Sequence, residues 1–94
     1  MSNRVIDNPA AGRFEVFVDD QLAGFVTYKR HPGEIVFIHT EIDEKWGGKG
    51  VGSALARGVL DDARANGLKV VPRCPFIKGY IDRHAEYQDL VKPS

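Results

Sequence analysis

The sequence predicts an α/β fold, in which a small mixed sheet of antiparallel strands leads into an α-β-α unit. Three observations support this fold class. Residues 13–42 carry strand-like alternation broken by turn formers, residues 51–65 carry helical spacing, and a second helical stripe follows a short apolar strand. With 94 residues, the chain suits one compact domain over residues 1–94.

The first half of the chain predicts a short edge strand followed by three longer strands. Residues 5–6 can form the edge strand, and residues 13–18 and 22–29 each alternate in apolar character. In residues 13–18 the side chains that share one face are Phe14, Val16 and Val18. In residues 22–29 they are Leu22, Val26 and Tyr28. Residues 34–42 include the run Ile35-Val36-Phe37-Ile38, which predicts a central strand covered on both sides.

The second half predicts a helix, a strand and a second helix. The first helix, residues 51–65, has an apolar stripe of Val51, Leu55, Val59 and Ala63, and Asn66-Gly67 ends it. Residues 68–71 form a strand, expected to lie parallel to residues 34–42 by the right-handed crossover rule. Cys74-Pro75 begins the second helix, because proline suits the first helical turn. Its stripe is Phe76, Ile77, Tyr80, Ile81 and His84, and the C-terminal tail can add one more turn.

Composition excludes several classes of function. Thirteen basic residues balance thirteen acidic ones, which argues against bulk electrostatic binding to nucleic acid. No apolar run approaches the ~18 residues of a membrane span, and no signal-peptide pattern is visible. The single cysteine, Cys74, excludes an internal disulfide and a multi-cysteine metal site. We therefore expect a cytoplasmic protein, a monomer or weak dimer, that uses no metal and binds neither nucleic acid nor membrane.

The segment with the strongest chemical signal is residues 47–53, Gly-Gly-Lys-Gly-Val-Gly-Ser, between a strand and a helix. Its glycines let backbone N–H groups point inward, and a helix N-terminus adds partial positive charge, which suits a phosphate or pyrophosphate. The alternative is a flexible connection whose glycines only permit a tight turn. The spacing fits neither a mononucleotide P-loop nor a Rossmann fingerprint.

Residues 44–55, Glu-Lys-Trp-Gly-Gly-Lys-Gly-Val-Gly-Ser-Ala-Leu, resemble the acyl-CoA pyrophosphate loop of the GNAT N-acetyltransferases. Gly50 and Gly52 match the two small positions of that loop. Gly47 stands where the family usually has Gln or Arg, so one side-chain contact is absent or comes from Lys45 or Lys49. Residues 74–87 resemble the signature of a minimal branch of roughly hundred-residue YjdJ-type proteins, and the resemblance covers nearly the whole chain.

The resemblance implies a GNAT-like sheet and an N-acetyltransferase that uses acetyl-CoA as co-substrate and an amine as acceptor. It implies that the strands at residues 34–42 and 68–71 splay apart and that the pantetheine arm enters between them. A backbone N–H of residues 37–41 would then stabilise the oxyanion. The residues expected along the cofactor are Ile38, Thr40, Glu41, Ile42, Lys45, Gly47, Gly48, Lys49, Gly50, Val51, Gly52, Ser53, Val71 and Pro75.

Three side chains are catalytic candidates, each with a structural alternative. His39 could take the proton of an attacking ammonium, or it could simply pack on one face of the sheet. Cys74, at a helix N-terminus, could accept the acetyl group, act as an acid towards CoA, or be a buried apolar thiol. Tyr80 could protonate the CoA sulfur, as a tyrosine on this helix does in many GNAT enzymes, or it could belong to the core.

A second hypothesis belongs to another class of function. The chain has no room for the extra N-terminal helices that help longer GNAT proteins build an acceptor pocket. The site could therefore be open to a protein or peptide amine, or the chain could be an acyl-CoA-binding sensor or interaction module with little or no turnover.

Overall fold

Residues 2–93, the part of the chain that the computed structural model describes, contain one five-stranded sheet in the order β1-β2-β3-β4-β5. The first four strands are antiparallel neighbours, and β5 lies parallel to β4. The strands are β1 (Asn3–Asn8), β2 (Arg13–Val18), β3 (Gln21–His31), β4 (Glu34–Ile42) and β5 (Lys69–Pro72). The predicted α/β class, the edge strand and the parallel crossover are confirmed.

Two α-helices follow the sheet's antiparallel part, α1 (Val51–Ala65) and α2 (Pro75–Arg83). The predicted stripe of α1 is buried throughout, and Pro75 occupies the first turn of α2 as predicted. The C-terminal tail adds a 3₁₀ turn, Ala85–Leu90, and then pairs Val91 with Val70 beside β5. No helix within residues 2–93 combines the length and apolarity that crossing a membrane requires.

Both helices pack on one face of the sheet, against a single apolar core. Ile35 and Phe37 of β4 are buried in that core, at 1% and 0% exposure. Val36 points to the opposite face, which no helix within residues 2–93 covers. Val36 is itself buried, at 9% exposure, so the expectation that β4 is covered on both sides is confirmed at residues 35–37 and fails from Ile38, which is 40% exposed. We call the side without helices the open face and the other the helix face.

A bulge in β3 changes which apolar side chains are buried. Val16 pairs with Gly24 and Phe17 pairs with Leu22, so Ala23 is an extra residue in β3. Ala23 takes the buried position at 1% exposure, and Leu22 is 44% exposed. The prediction that Leu22 shares a face with Val26 is wrong because the bulge reverses the alternation between them.

Candidate active site

The parallel ladder between β4 and β5 ends before β4 does. Its last pair is Phe37 with Pro72, whereas β4 continues to Ile42. The carbonyl of Phe37 then accepts hydrogen bonds from the backbone N–H groups of both Arg73 and Cys74, each at 3.0 Å, which turn the chain away from β4. Beyond Phe37, no strand of the described chain pairs with that edge of β4. The predicted opening between the two strands is present, and we call it the gap.

A second bulge lies at the start of the gap. Tyr28 pairs with Phe37 and Thr27 pairs with His39, so Ile38 is an extra residue in β4. The bulge reverses the alternation that the sequence predicts for β4. Thr40, rather than His39, therefore shares the helix face with Phe37, and Ile38 is 40% exposed.

The helix face of the gap brings a hydroxyl and a thiol together. The Oγ1 of Thr40 lies 3.0 Å from the Sγ of Cys74, which is 2% exposed. Cys74 is the N-cap residue of α2, and its side chain makes no capping hydrogen bond to the helix. Thr40 was expected to contribute to the site only as part of the β4 segment along the cofactor. Its hydroxyl contact with the thiol is a feature that the sequence pattern does not indicate.

His39 lies on the open face, next to a carboxylate. Its Nε2 is 3.7 Å from the Oε1 of Glu41, and the two side chains are 61% and 62% exposed. His39 and Cys74 are both catalytic candidates. The bulge at Ile38 sends them to opposite faces of β4, on either side of the same gap.

The same end of the sheet carries an open groove of about 590 Å³. Its walls are the facing ends of β3 and β4 and the segment that follows β4. The lining residues are Leu22, Ala23, Gly24, Phe25, Glu41, Ile42, Asp43 and Glu44. Because Glu41 belongs to this wall, the His39–Glu41 pair stands at the rim of the groove.

The glycine-rich segment leads from the end of β4 into α1. A 3₁₀ turn, Glu44–Trp46, precedes it, and Gly48 and Gly50 then adopt positive φ angles of 74° and 77°. Gly50 is the N-cap of α1 and supplies no side-chain cap, so the first N–H groups of the helix have no internal partner. A Cβ at Gly48 or Gly50 would meet no atom within 4 Å. The segment thus offers uncapped backbone donors beside two positions that carry no side chain, which fits a pyrophosphate.

The comparisons with known proteins agree with this geometry. Residues 13–90 match the family model described as GCN5-related N-acetyl-transferase. The chain belongs to this family. It is therefore an N-acetyltransferase, and the resemblance described under the sequence implies that the glycine-rich segment and the gap organise its site. A comparison with curated proteins gives no significant match.

Two solved structures resemble the acetyltransferase. A GCN5-like protein of Staphylococcus aureus is 29% identical with a TM-score of 0.73, and the match covers 100% of this chain and 93% of that one. The ribosomal-protein-alanine N-acetyltransferase of Brucella melitensis is 22% identical with a TM-score of 0.56, and the match covers 87% and 62%. At that lower identity, the second likeness concerns the fold alone.

The two lysines of the acetyltransferase's loop differ in their surroundings. The Nζ of Lys45 donates a hydrogen bond to the Oε1 of Gln21 at 2.9 Å and lies 4.9 Å from the Trp46 ring centroid. Lys49 is exposed and lies between the two glycines of positive φ. Of the two residues expected to replace the family's Gln or Arg, Lys49 is thus the one beside the uncapped helix N-terminus.

The first turns of α1 and α2 meet beside the gap. The ring of Phe76 packs on Gly52, and a Cβ at Gly52 would lie 2.7 Å from the Cζ of Phe76. Phe76 is 36% exposed, so its expected place on the buried stripe of α2 is wrong. Ser53 is exposed in the same turn of α1, whereas Val71 pairs with Val36 inside the ladder, before the gap begins.

Tyr80 lies in the core between α1 and α2. It is 3% exposed, and its ring stacks on that of His84 with centroids 3.8 Å apart. A hydrogen bond with Tyr80 raises the pKa of the Arg57 guanidinium on α1. No hydrogen bond in the described chain joins Tyr80 to Cys74. Its role as a proton donor stays a prediction, and these contacts favour the core-packing alternative.

The neighbouring tyrosine, Tyr87, anchors the C-terminal turn to α1. Its hydroxyl donates to the Oδ1 of Asp61 at 2.7 Å. Burial and this hydrogen bond raise the pKa of Tyr87 to about 12. Within residues 2–93, no group of three or more His, Cys, Asp and Glu side chains is placed to hold a metal ion.

Proposed function

We propose that this acetyltransferase moves the acetyl group of acetyl-CoA to an amine that reaches the site from the open face. The observation that carries the proposal is a chain of contacts at one end of the sheet. Gly52 of the glycine loop touches Phe76, and Cys74, two residues earlier in the chain, touches Thr40 of β4. The uncapped start of α1 and the unpaired edge of β4 are therefore neighbours, which suits a pyrophosphate with an arm attached.

The donor side consists of backbone groups. The N–H groups of Val51, Gly52 and Ser53 would bind the pyrophosphate, since the helix dipole and charge-assisted hydrogen bonds both favour an anion there. Residues 38–42 of β4 have free N–H and C=O groups on the gap side, as an edge strand does. These groups would form hydrogen bonds with the amides of the pantetheine arm. That pairing would place the thioester between Thr40 and the open face.

The acceptor side consists of the groove and the His39–Glu41 pair. Glu41, Asp43 and Glu44 give the groove a negative lining, which attracts a protonated amine. Histidine is the side chain suited to exchanging protons near neutral pH, and the Nε2 of His39 lies 3.7 Å from the Oε1 of Glu41. His39 would accept the proton of the ammonium before attack. Because the open face is uncovered, the acceptor can be an amine on a protein or peptide.

A protonated amine loses two protons when it becomes an amide. His39 would pass the first to solvent and leave a free amine that attacks the thioester carbon. The second leaves the nitrogen after attack and enters solvent. Cys74 would donate its Sγ proton to the sulfur of the departing CoA, and it would regain a proton from solvent.

The placement of Cys74 favours direct transfer over a covalent acetyl-cysteine. Its sulfur is 2% exposed and lies on the helix face, whereas the side chain of His39 is 61% exposed on the open face. An amine entering by the groove could reach a thioester lodged in the gap. An acetyl group on Cys74 would lie behind β4 from that amine.

The deciding experiment has two parts. Calorimetry with acetyl-CoA measures donor binding, and incubation with acetyl-CoA and a cell lysate, followed by mass spectrometry, identifies newly acetylated amines. We expect binding together with acetylation of protein or peptide amines. Binding with no acetylation above a reaction that contains only acetyl-CoA would instead favour an acyl-CoA-binding module. No binding would contradict both functions.

We further propose that the protein acts in the cytoplasm as a monomer or weak dimer. The neutral net charge and small core give no reason for a larger assembly. Light scattering over a range of concentrations should give a mass close to one or two chains, and a stable tetramer would contradict the proposal.

A further inference from the structure

The contact between Thr40 and Cys74 joins two segments that are 34 residues apart in the chain. Thr40 comes from the gap-lining part of β4, and Cys74 caps the N-terminus of α2. Within residues 2–93, the thiol of Cys74 makes this hydrogen bond and no other, and its side chain does not cap its own helix. The orientation of the sulfur therefore depends on one hydroxyl group.

The hydroxyl of Thr40 has no evident structural task. The backbone of β4 is paired with β3 through the ladder, and that pairing needs no side-chain donor. A valine has the same shape, and β-branched residues of either kind suit a strand. A hydroxyl that faces a buried thiol at 3.0 Å therefore points to chemistry rather than to packing.

The acidities of the two groups decide which one donates when a proton has left. A thiol loses its proton near pH 8–9 in general, whereas an alcohol keeps its proton in water. After Cys74 gives up its proton, the only hydrogen left between the two atoms belongs to Thr40. The hydroxyl then donates a charge-assisted hydrogen bond to the sulfur.

We propose that Thr40 is a positioning residue for Cys74 in acetyl transfer. Its hydroxyl fixes the direction of the Sγ–H group while the thiol is protonated, and it donates a hydrogen bond to the thiolate that remains after proton donation. The proposal rests on the proposed function of Cys74, but the contact itself can be tested without acetyl-CoA.

The test compares three substitutions of Thr40. Thr40→Val keeps the shape and removes the hydroxyl, while Thr40→Ser and Thr40→Ala have almost the same size and differ in the hydroxyl alone. The matched control is Thr27→Val. Thr27 is the other threonine of the chain, and its hydroxyl donates to the carbonyl of His39 on the open face at 3.4 Å.

Two measurements are made on each variant. The first is the rate at which iodoacetamide alkylates the single cysteine without acetyl-CoA, read by intact mass. We expect Thr40→Val to slow alkylation about tenfold, the worth of one hydrogen bond to a charged group, and Thr27→Val to leave the rate within twofold of the unsubstituted chain. We expect Thr40→Ser to alkylate about tenfold faster than Thr40→Ala.

The second measurement is acetyl transfer from acetyl-CoA to the amines identified above. We expect Thr40→Val to lower kcat about tenfold with little change in the KM for acetyl-CoA, and Thr40→Ser to restore kcat. A merely structural role predicts instead that serine and alanine behave alike. If Thr40→Val does not fold, the serine and alanine variants decide the question by themselves.

The outcomes separate the two proposals. Equal alkylation by Thr40→Ser and Thr40→Ala, or equal kcat, overturns the positioning role while acetyl transfer by the unsubstituted chain still supports the proposed function. Acetyl-CoA binding without transfer contradicts the proposed function and with it a role in catalysis. If the alkylation rate still depends on the hydroxyl in that case, Thr40 controls the reactivity of the Cys74 thiol without taking part in acetyl transfer.

Discussion

Gly52 and Phe76 hold the first turns of the two helices together, so closely that a Cβ at Gly52 would lie 2.7 Å from the ring's Cζ. Gly52 therefore serves packing as well as backbone access to a phosphate. The ring atom in question is the far end of a side chain that is 36% exposed. Phe76 can consequently swing outward from its place against the glycine loop.

Gly52→Ala should weaken acetyl-CoA binding more than it weakens the fold. Alanine is the better helix former by about 1 kcal/mol, which offsets the contact with the ring, so we expect little change in the free energy of unfolding. The displaced ring should lower acetyl-CoA affinity several-fold. In a Phe76→Ala background the clash is gone, and the same substitution should stabilise the fold and leave affinity unchanged. Additive effects on affinity in this double-mutant cycle would contradict the account.

Gly50→Val should abolish donor binding, and Gly33→Val is its matched control. Both glycines have a positive φ, 77° and 75°, and a Cβ at either would meet no atom within 4 Å. Both substitutions should therefore cost about 1–2 kcal/mol of stability from backbone strain. Gly33 lies in the turn at the far end of β4, so calorimetry should show acetyl-CoA binding lost in Gly50→Val alone. Equal affinities would remove the pyrophosphate assignment.

The sequence could not predict which face of β4 each side chain of the site occupies. The alternation in residues 13–18 and the stripe of α1 predicted buried faces correctly, because regular elements keep their period. Ile35 to Ile38 reads as one unbroken apolar run, and nothing in it marks Ile38 as the extra residue of a bulge. That residue decides that Thr40, and not His39, meets Cys74. The positive φ angles at Gly48 and Gly50 were predictable, because a cluster of glycines indicates a tight turn in a conformation that glycine adopts freely.

His39→Gln should lower acetyl transfer without affecting donor binding. Glutamine is a polar residue of similar size that cannot take up a proton. General base catalysis typically contributes about 10²–10⁴-fold, so we expect kcat for a protonated amine to fall by at least about a hundredfold. His31→Gln, at the exposed far end of β3, is the control and should leave kcat unchanged. Equal kcat in the two variants would favour the packing alternative for His39.

Tyr87 should make the fold sensitive to alkaline pH. Its pKa is raised to about 12 in the folded protein, against about 10 in an unfolded chain. The folded state therefore holds this proton more tightly, so the stabilisation is complete below pH 10 and is lost as pH rises from about 10 to about 12. Urea unfolding at a series of pH values should show this loss, and Tyr87→Phe should lack that part of it. An ultraviolet titration in which all three tyrosines ionise near pH 10 would contradict the assignment.

Cys74 offers the sharpest test of how the acetyl group moves. Direct transfer predicts that incubation with acetyl-CoA adds no hydroxylamine-labile acetyl group to the chain, because the thiol only donates a proton. Cys74→Ala should then keep its affinity for acetyl-CoA and lose part of kcat. A covalent relay predicts an adduct of one acetyl group by intact mass, and loss of nearly all turnover in Cys74→Ala.

Because the sulfur of Cys74 is 2% exposed, we also expect iodoacetamide to react more slowly than with a free cysteine, and acetyl-CoA to slow the reaction further by filling the gap. A thiol whose alkylation rate does not respond to acetyl-CoA, in a chain whose turnover survives Cys74→Ala intact, would leave Cys74 as a packing residue and require another proton donor for CoA.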